Sequence, residues 1–395
     1  MCHGTKIALP AITLSVAALE FQVGEPEIGL AISAYTLAMA VSSVPAGLLG
    51  DRYGQGKVLA AFFWLLAVAA VGCAMAPTYG VLLASHAVLG LAAGLFHPAG
   101  LSLVSLSVKR AELGRAMGTF GLVGGLGWLF VPVLMNTGLG WRTGFAILAF
   151  AGVLGALVTH VLMARGRVLA NPVVEEQEPS SAQKLAADGG RIKLLLVSVL
   201  FAMGINAFLL DGFLPMFSET VGKLGTWIVE EYTLISCVMA VGAIGQYMGG
   251  ILARDHFAAS RYAVLLLLQP LTLLGLAYSL DEPAWPFMLM GSFAFLNFMT
   301  QPIENKLLAV YTSTRRRAMA FALKFVVALV IASPAGWLVA TLYGADGWTF
   351  AQIYRLLALV GTLGVFAGYL FLRQTRRVTE VAAKERARAL YERRG

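Results

Sequence analysis

Asn297, Gln301 and Glu304 are spaced by four and three residues inside a long apolar run, so on a helix all three share one face. A polar stripe on a helix in lipid must look into protein or a water-filled cavity, because hydrocarbon offers amides and carboxyls no partner. Such a stripe could hydrogen-bond a polar solute, and Glu304 could take up and release a proton. It could instead join one helix to another. Lys324 enters a later apolar run by about two helical turns, at a depth similar to Glu304, so an ion pair between the two is expected. Its ammonium could also snorkel to the interface or meet an anion. Asp211 lies close to the outer end of its run, where it could simply face water. His97 precedes Pro98, which joins a side chain titrating near neutral pH to a gap in the helix ladder. Tyr35, Trp128, Asn206 and Gln246, neutral groups nearer mid-span, complete the set expected to line a substrate pathway with His97, Asn297, Gln301 and Lys324. As proton carriers the order is Glu304, Asp211, His97.

Catalytic signatures are absent from the sequence: no phosphate loop, no metal-ligand cluster and no nucleophile elbow. Cys2, Cys73 and Cys237 are scattered and read as small apolar groups or bystanders rather than metal ligands. Neither an enzyme nor an ATP-driven pump is expected, and no cofactor or metal.

The elements that hold these residues follow from composition. Of 395 residues, 58% are hydrophobic and 13% charged, and the mean hydropathy is +0.77. Soluble domains average about 45–50% apolar and about 25% charged residues. Too few ionic groups remain to build a water-facing surface, which excludes a soluble enzyme, a disordered chain and a disulfide scaffold. A membrane-spanning helix needs about 20 apolar residues. Runs of that kind fall at 4–21, 28–49, 58–76, 80–106, 115–135 and 143–164, then at 192–216, 228–252, 262–280, 285–309, 318–342 and 349–372. The expected fold class is therefore an all-α polytopic membrane protein with twelve spans. The first run lacks the cleavage site of a signal peptide, and its short lead after Met1 leaves room for a start codon placed too late.

Of the 29 basic residues, Arg142 and Lys223 fall on one side and Lys306, Lys324 and Arg355 within spans, which leaves 24 on the other side. By the positive-inside rule that side is the cytoplasm, and both termini lie there. The net charge of +8 is thus a topological signal, and no nucleic-acid partner is expected. Trp141, Trp227, Trp285 and Trp348 fall at outer helix ends, as an aromatic belt requires.

The polar stretch 165–191 reads as a cytoplasmic linker between an N-terminal six-helix bundle (1–164) and a C-terminal one (192–372), with a basic tail at 373–395. Two correspondences suggest an internal repeat. Leu9-Pro10 recurs as Leu214-Pro215, and Asp51 with Lys57 recurs as Asp255 with Arg261, at offsets of 205 and 204 residues.

On the turn between the second and third spans stands Gly47-Leu48-Leu49-Gly50-Asp51-Arg52-Tyr53-Gly54-Gln55-Gly56-Lys57. Gly47 permits close helix approach, Gly54 and Gly56 a tight turn, and Asp51 can pair with a cation or cap a neighbouring helix. Here the chain resembles the major facilitator superfamily, in the bacterial branch that includes fosmidomycin-resistance-type exporters. Gly94-Leu95-Phe96-His97-Pro98, Arg115-Ala116-Met117-Gly118 and Leu323-Lys324-Phe325 fit the same family. The second copy of the turn carries Arg254-Asp255 in place of Asp-Arg.

The resemblance implies a cytoplasmic latch formed by Gly47, Asp51, Arg52, Gly54 and Lys57, echoed by Asp255 and Arg261, that holds two halves together. It also implies a secondary transporter working by alternating access in the bacterial inner membrane. Its partners would be a small organic substrate, protons and membrane lipids, with the chain acting as a monomer. The few deep charges suit a neutral, amphipathic or weakly anionic substrate. The alternative is a non-transporting relative that serves as a membrane receptor or assembly factor.

Overall fold

Leu-, Ala-, Val- and Phe-rich runs of this length can satisfy their backbone groups in lipid only by closing helical hydrogen bonds within the segment. The computed structural model describes residues 20–23, 25–136, 140–166, 189–223, 231–253, 257–282, 285–344 and 347–392. Among these there are eleven α-helices. In chain order they are α1 (Glu25–Tyr53), α2 (Gln55–Ala74), α3 (Tyr79–Ser107), α4 (Leu113–Asn136), α5 (Trp141–Ala164) and α6 (Gly189–Lys223), followed by α7 (Glu231–Leu252), α8 (Ala258–Tyr278), α9 (Trp285–Tyr311), α10 (Arg317–Gly344) and α11 (Phe350–Glu392). A single 3-10 turn, Thr314–Arg316, leads into α10.

These helices coincide with the second to twelfth expected spans. The first span, most of the linker and Asp255 lie outside the described residues. Eight candidate spans are long and apolar enough to cross a membrane. Helix α9 is not among them, and it is the helix that carries Gln301, Glu304, Asn305 and Lys306 in sequence. Helix α11 runs well past the expected end at 372, because the Arg-, Ala- and Glu-rich tail is a good helix former although it is not apolar.

Leu37, Val68, Phe150, Val197, Leu359 and Phe366 all point outward, more than half exposed, as expected of faces that meet lipid. Prolines at 45, 98, 270, 302 and 334 stand within helices, a placement that neighbouring helices make tolerable in membranes. Inside, α1 packs on α3, α2 on α3 and α5, α6 on α10 and α11, α7 on α9, and α8 on α9 and α11. The most extensive contacts between the two sequence halves are these. α4 lies along α7, and α1 along α10.

At the end of α5 away from the basic loops, the Glu20 carboxylate accepts from Arg142 Nη2 at 2.7 Å and from Trp141 Nε1 at 2.9 Å.

Candidate functional site

The turn between α1 and α2 is one residue long. Gly54 holds φ +94° there, a left-handed backbone that only glycine adopts cheaply. This aims the end of α1 at the start of α10. Asp51 Oδ1 accepts from the Ala318 N–H and Oδ2 from the Met319 N–H, both at 3.1 Å. The carboxylate thus satisfies orphan donors in the first turn of α10 and meets the positive end of its dipole. One turn earlier, a Cβ on Gly47 would come 2.9 Å from Ala322 Cβ and 3.0 Å from Met319 Cα. The four-residue spacing therefore puts a close-approach residue and a capping residue on the same face.

Arg52 extends over the Tyr53 ring at 5.2 Å, and Lys57 is exposed. Arg261 Nη1 donates to Leu252 O at 2.6 Å, joining the first turn of α8 to the last residue of α7. Nearby, Arg317 Nη1 reaches Ser105 O at 3.5 Å, joining α10 to α3. Glycines 114 and 118 of α4 lie against Gly250 and Ala253. The helix ends that carry the basic loops are thus pressed together.

Asp51→Ala should weaken this closure by about 0.5–2 kcal/mol, the worth of a lost helix cap. In a chain whose native cysteines are replaced, a single cysteine at Ser105 should then react several-fold faster with a water-soluble maleimide. Unchanged labelling would show that the cap does not hold the closure.

Behind the closed ends lies a cavity of about 120 Å³, with walls drawn from both sequence halves. Met39 of α1, His97 of α3 and Phe120 of α4 contribute on one side. Asn206 and Asp211 of α6, Gln246 of α7, Asn297, Gln301 and Glu304 of α9, and Lys324 and Phe325 of α10 contribute on the other. The α9 stripe does face one space, as its spacing requires.

Glu304 and Lys324 form an ion pair at 3.0 Å with both side chains under a tenth exposed. Tyr262 of α8 donates its hydroxyl to Glu304 Oε1 at 3.1 Å. Lys324 Nζ also donates to Asn305 Oδ1 at 2.6 Å. Both charges are therefore held twice, the condition for a buried pair to survive desolvation. Lys306, next in sequence, points elsewhere and donates to Ala253 O.

A second network stands one to two turns along α9. Asn297 Nδ2 faces Asn206 O, Asn206 Oδ1 and Gln269 Oε1 at 3.0–3.1 Å. Asn206 Nδ2 donates to Thr300 Oγ1 at 2.9 Å, while Asn297 Oδ1 is buried with no donor in reach. Gln246 Nε2 lies 3.4 Å from Gln301 Oε1, linking α7 to α9. On the opposite wall the His97 imidazole stacks on Phe325, with ring centroids 4.3 Å apart and planes at 24°.

Of the residues expected to line a pathway, His97, Asn206, Gln246, Asn297, Gln301 and Lys324 come together here, with Glu304 and Asp211. Tyr35 does not. Fully buried, it packs in the core of α1, α2, α3 and α5 with its ring 5.8 Å from His86, because its position on α1 faces α3 rather than the cavity. The Trp128 side chain lies outside the described residues. Tyr262, Asn305, Gln269, Thr300 and Phe325 were not anticipated.

A bundle of apolar helices around a cavity lined from both sequence halves, with a few polar side chains among apolar ones, defines a multi-pass membrane protein. The chain belongs to the major facilitator superfamily, whose sequence profile matches residues 1–323. It is similar to the drug efflux pump JefA of Mycobacterium tuberculosis (strain ATCC 25618 / H37Rv), at 29% identity over 45% of this chain and 33% of that protein. It is also similar to the niacin transporter NiaP of Acinetobacter baylyi (strain ATCC 33305 / BD413 / ADP1), at 27% identity over 53% of this chain and 55% of that one. The chain thus matches less than two thirds of the length of these relatives. In fold it resembles the proton:xylose symporter XylE, solved with 6-bromo-6-deoxy-D-glucose, with a TM-score of 0.72 at 14% identity and 92% of each chain covered.

Proposed function

We propose that this protein is a secondary transporter of the bacterial cytoplasmic membrane that moves a small organic molecule by alternating access. Two six-helix halves, 1–164 and 192–372, joined by the linker 165–191, give twelve spans with both termini in the cytoplasm. The observation that carries the reading is the placement of the Glu304–Lys324 pair in a cavity walled by both halves, behind ends closed by Asp51 and by the α4–α7 contact.

In this reading the contacts of α1 with α10 and of α4 with α7 form the cytoplasmic closure of the cavity. Parting α1 from α10 and α4 from α7 opens it there, and the reverse rocking exposes it outside. The capped contacts are worth only a few kcal/mol, so the change in shape stays within reach of binding energy.

Glu304 is the first proton carrier, with Asp211 and His97 next. Its carboxylate is shielded from bulk water, and its charge state decides whether Lys324 is occupied. A drug efflux pump and a niacin transporter among the relatives, and a proton:xylose symporter among the folds, favour a small organic solute with proton coupling.

The test uses purified protein in liposomes. Solute counterflow should be present, and an imposed pH gradient should drive accumulation. Glu304→Gln should remove the pH drive while leaving counterflow. Absence of counterflow for every solute in a panel of small acids, amines, amides and sugars would sink the reading.

A further inference from the structure

We infer that a groove between α2, α3 and α4 binds one anionic phospholipid from the leaflet on the side of the basic loops, and that this lipid fastens α4 to its own half of the bundle. The site is separate from the polar cavity, and its occupancy can be measured whether or not the chain transports.

The groove encloses about 910 Å³. Its walls are Phe62 and Phe63 of α2, Phe96 and Val104 of α3, and Phe120 and Val123 of α4. The four rings run in series, Phe63 to Phe62 to Phe96 to Phe120, with centroids 4.8, 4.9 and 5.6 Å apart. Water along these walls would find no polar partner, and a buried water needs about two to four. Thr119 and Val123 on the rim are exposed, so the groove opens sideways, where the helices face lipid.

The space follows from the packing of α4. Glycines 114, 118, 121 and 125 press one face of this helix against the α7 segment, which leaves Phe120 and Val123 across the groove from α2 and α3. The other half of the sequence fills the matching space with protein. There Leu266 of α8 and Leu307 of α9 pack on Leu195, Val199 and Met203, in the inner part of α6. The 204-residue offset between Asp51 and Asp255 maps Leu266 onto Phe62 and Leu307 onto Leu103, both in the groove wall. The 205-residue offset maps residues 4–21 onto 209–226, beyond that part of α6. The groove thus has room for one apolar column, and among the described residues no helix stands in it.

Depth and charge select the occupant. From Ser107 at the mouth back to Phe96 on α3 the groove runs about 16 Å at 1.5 Å per residue, close to half of a hydrocarbon core about 30 Å thick. That is the reach of an acyl chain within a single leaflet. Its headgroup would then sit at the mouth, which Glu112 and Arg115 line. The loop between α3 and α4 adds Lys109 and Arg110, and all four side chains are exposed. Three cations against one carboxylate favour an anionic headgroup over a zwitterionic one, and the Arg115 guanidinium suits a phosphate. Arg115 makes no ion pair among the described residues.

Phe120 gives the site a consequence for the polar cavity. It lines both spaces, so the lipid backs one wall of the cavity. With the groove filled, α4 is packed against α2 and α3 as well as against α7. With it empty, α4 is held chiefly by α7.

The probes are phosphatidylglycerol and phosphatidylcholine, titrated into the detergent-purified full chain and counted by native mass spectrometry. One phosphatidylglycerol should be retained, with an affinity about tenfold above that for phosphatidylcholine, as an excess of basic groups at the mouth requires. Arg115→Gln should lower the phosphatidylglycerol affinity several-fold and leave phosphatidylcholine unchanged. Lys193→Gln removes an exposed cation near the start of α6 and is the control, expected to change neither. Val123→Trp sets an indole into the groove from an exposed position and should lose both lipids. Nitroxides on the exposed residues Ala61 of α2 and Leu126 of α4 should give a distance distribution that narrows as phosphatidylglycerol binds, and that ignores the lipid in Val123→Trp.

Equal retention of the two lipids, a loss in Lys193→Gln as large as in Arg115→Gln, or retention that survives Val123→Trp would each overturn the site. If Val123→Trp does not fold, the Arg115→Gln and Lys193→Gln comparison, made at exposed positions, decides alone. Cross-links from cysteines along residues 4–21 to one at Val104 would place that segment in the groove and overturn the lipid as its occupant. A distance distribution in the parent that ignores bound lipid would overturn the fastening of α4.

Discussion

Lys324→Ala is expected to be the most damaging single substitution in the protein. The ammonium is the only cation within ion-pair distance of Glu304 among the described residues, at 3.0 Å, and both side chains are under a tenth exposed. Removing it leaves a carboxylate with one neutral donor, the Tyr262 hydroxyl, in surroundings that solvate charge poorly. Breaking a buried pair by deleting one member costs about 3–5 kcal/mol, far more than the pair contributes relative to an uncharged replacement. The expected result is a large fall in the thermal midpoint of the detergent-purified protein, with transport lost.

The double variant Glu304→Gln/Lys324→Ala removes the stranded charge and should recover most of the stability but none of the proton coupling. The difference between the double variant and the sum of the singles is the coupling energy, and it should exceed 1 kcal/mol for residues in direct contact. Glu304→Gln alone should be milder, because the amide oxygen still accepts from Lys324 and Asn305 remains in place. A Lys324→Ala chain that melts with the parent would show that the pair is not held as described.

Helix positions were largely legible because a lipid environment writes them as runs of apolar residues. Expected and observed limits differ by a few residues where polar residues extend a helix beyond the lipid, as at Glu25 and Tyr53 of α1. Hydropathy is blind to such extensions, and most of all to the tail of α11, whose helix rests on backbone propensity. The facing of Asn297, Gln301 and Glu304 followed from helical spacing, and the Glu304–Lys324 pairing from depth.

Some partners left no local signal. Tyr262 meets Glu304 across 42 residues of sequence, and an aromatic residue in an apolar run looks the same whether it faces lipid or a carboxylate. Asp51 was expected to find a cation or a helix end. Which of the two it found depended on where α10 begins, a tertiary fact. Tyr35 shows the converse error. Depth placed it near mid-membrane, but only the packing of α1 on α3 decides which way it faces.

The contact between α4 and α7 leads to the second large effect, on shape rather than stability. A Cβ on Gly118 would lie 2.7 Å from Gly250 Cα, 3.0 Å from Gln246 O and 3.1 Å from Tyr247 O. These are backbone atoms of the facing helix, so no side chain can rotate aside to make room. Valine at 118 therefore forces the two helices apart where they now touch, at the ends that carry the basic loops. Overpacking of this kind costs about 1–3 kcal/mol. That cost is expected to fall on the state in which α4 and α7 are closed, where Gly118 meets the α7 backbone. A penalty confined to one of two states shifts their ratio by about 5- to 150-fold. Gly118→Val should then fold and purify normally, expose a cysteine placed at Ser105 to maleimide from the cytoplasmic side, and lose most of its transport through failure to close. Gly140→Ala, at a glycine with open space around it, is the control and should change neither readout. If Gly118→Val labels and transports like the parent, the α4–α7 contact is not part of the closing surface. If it fails to fold, the contact serves stability and not the gate.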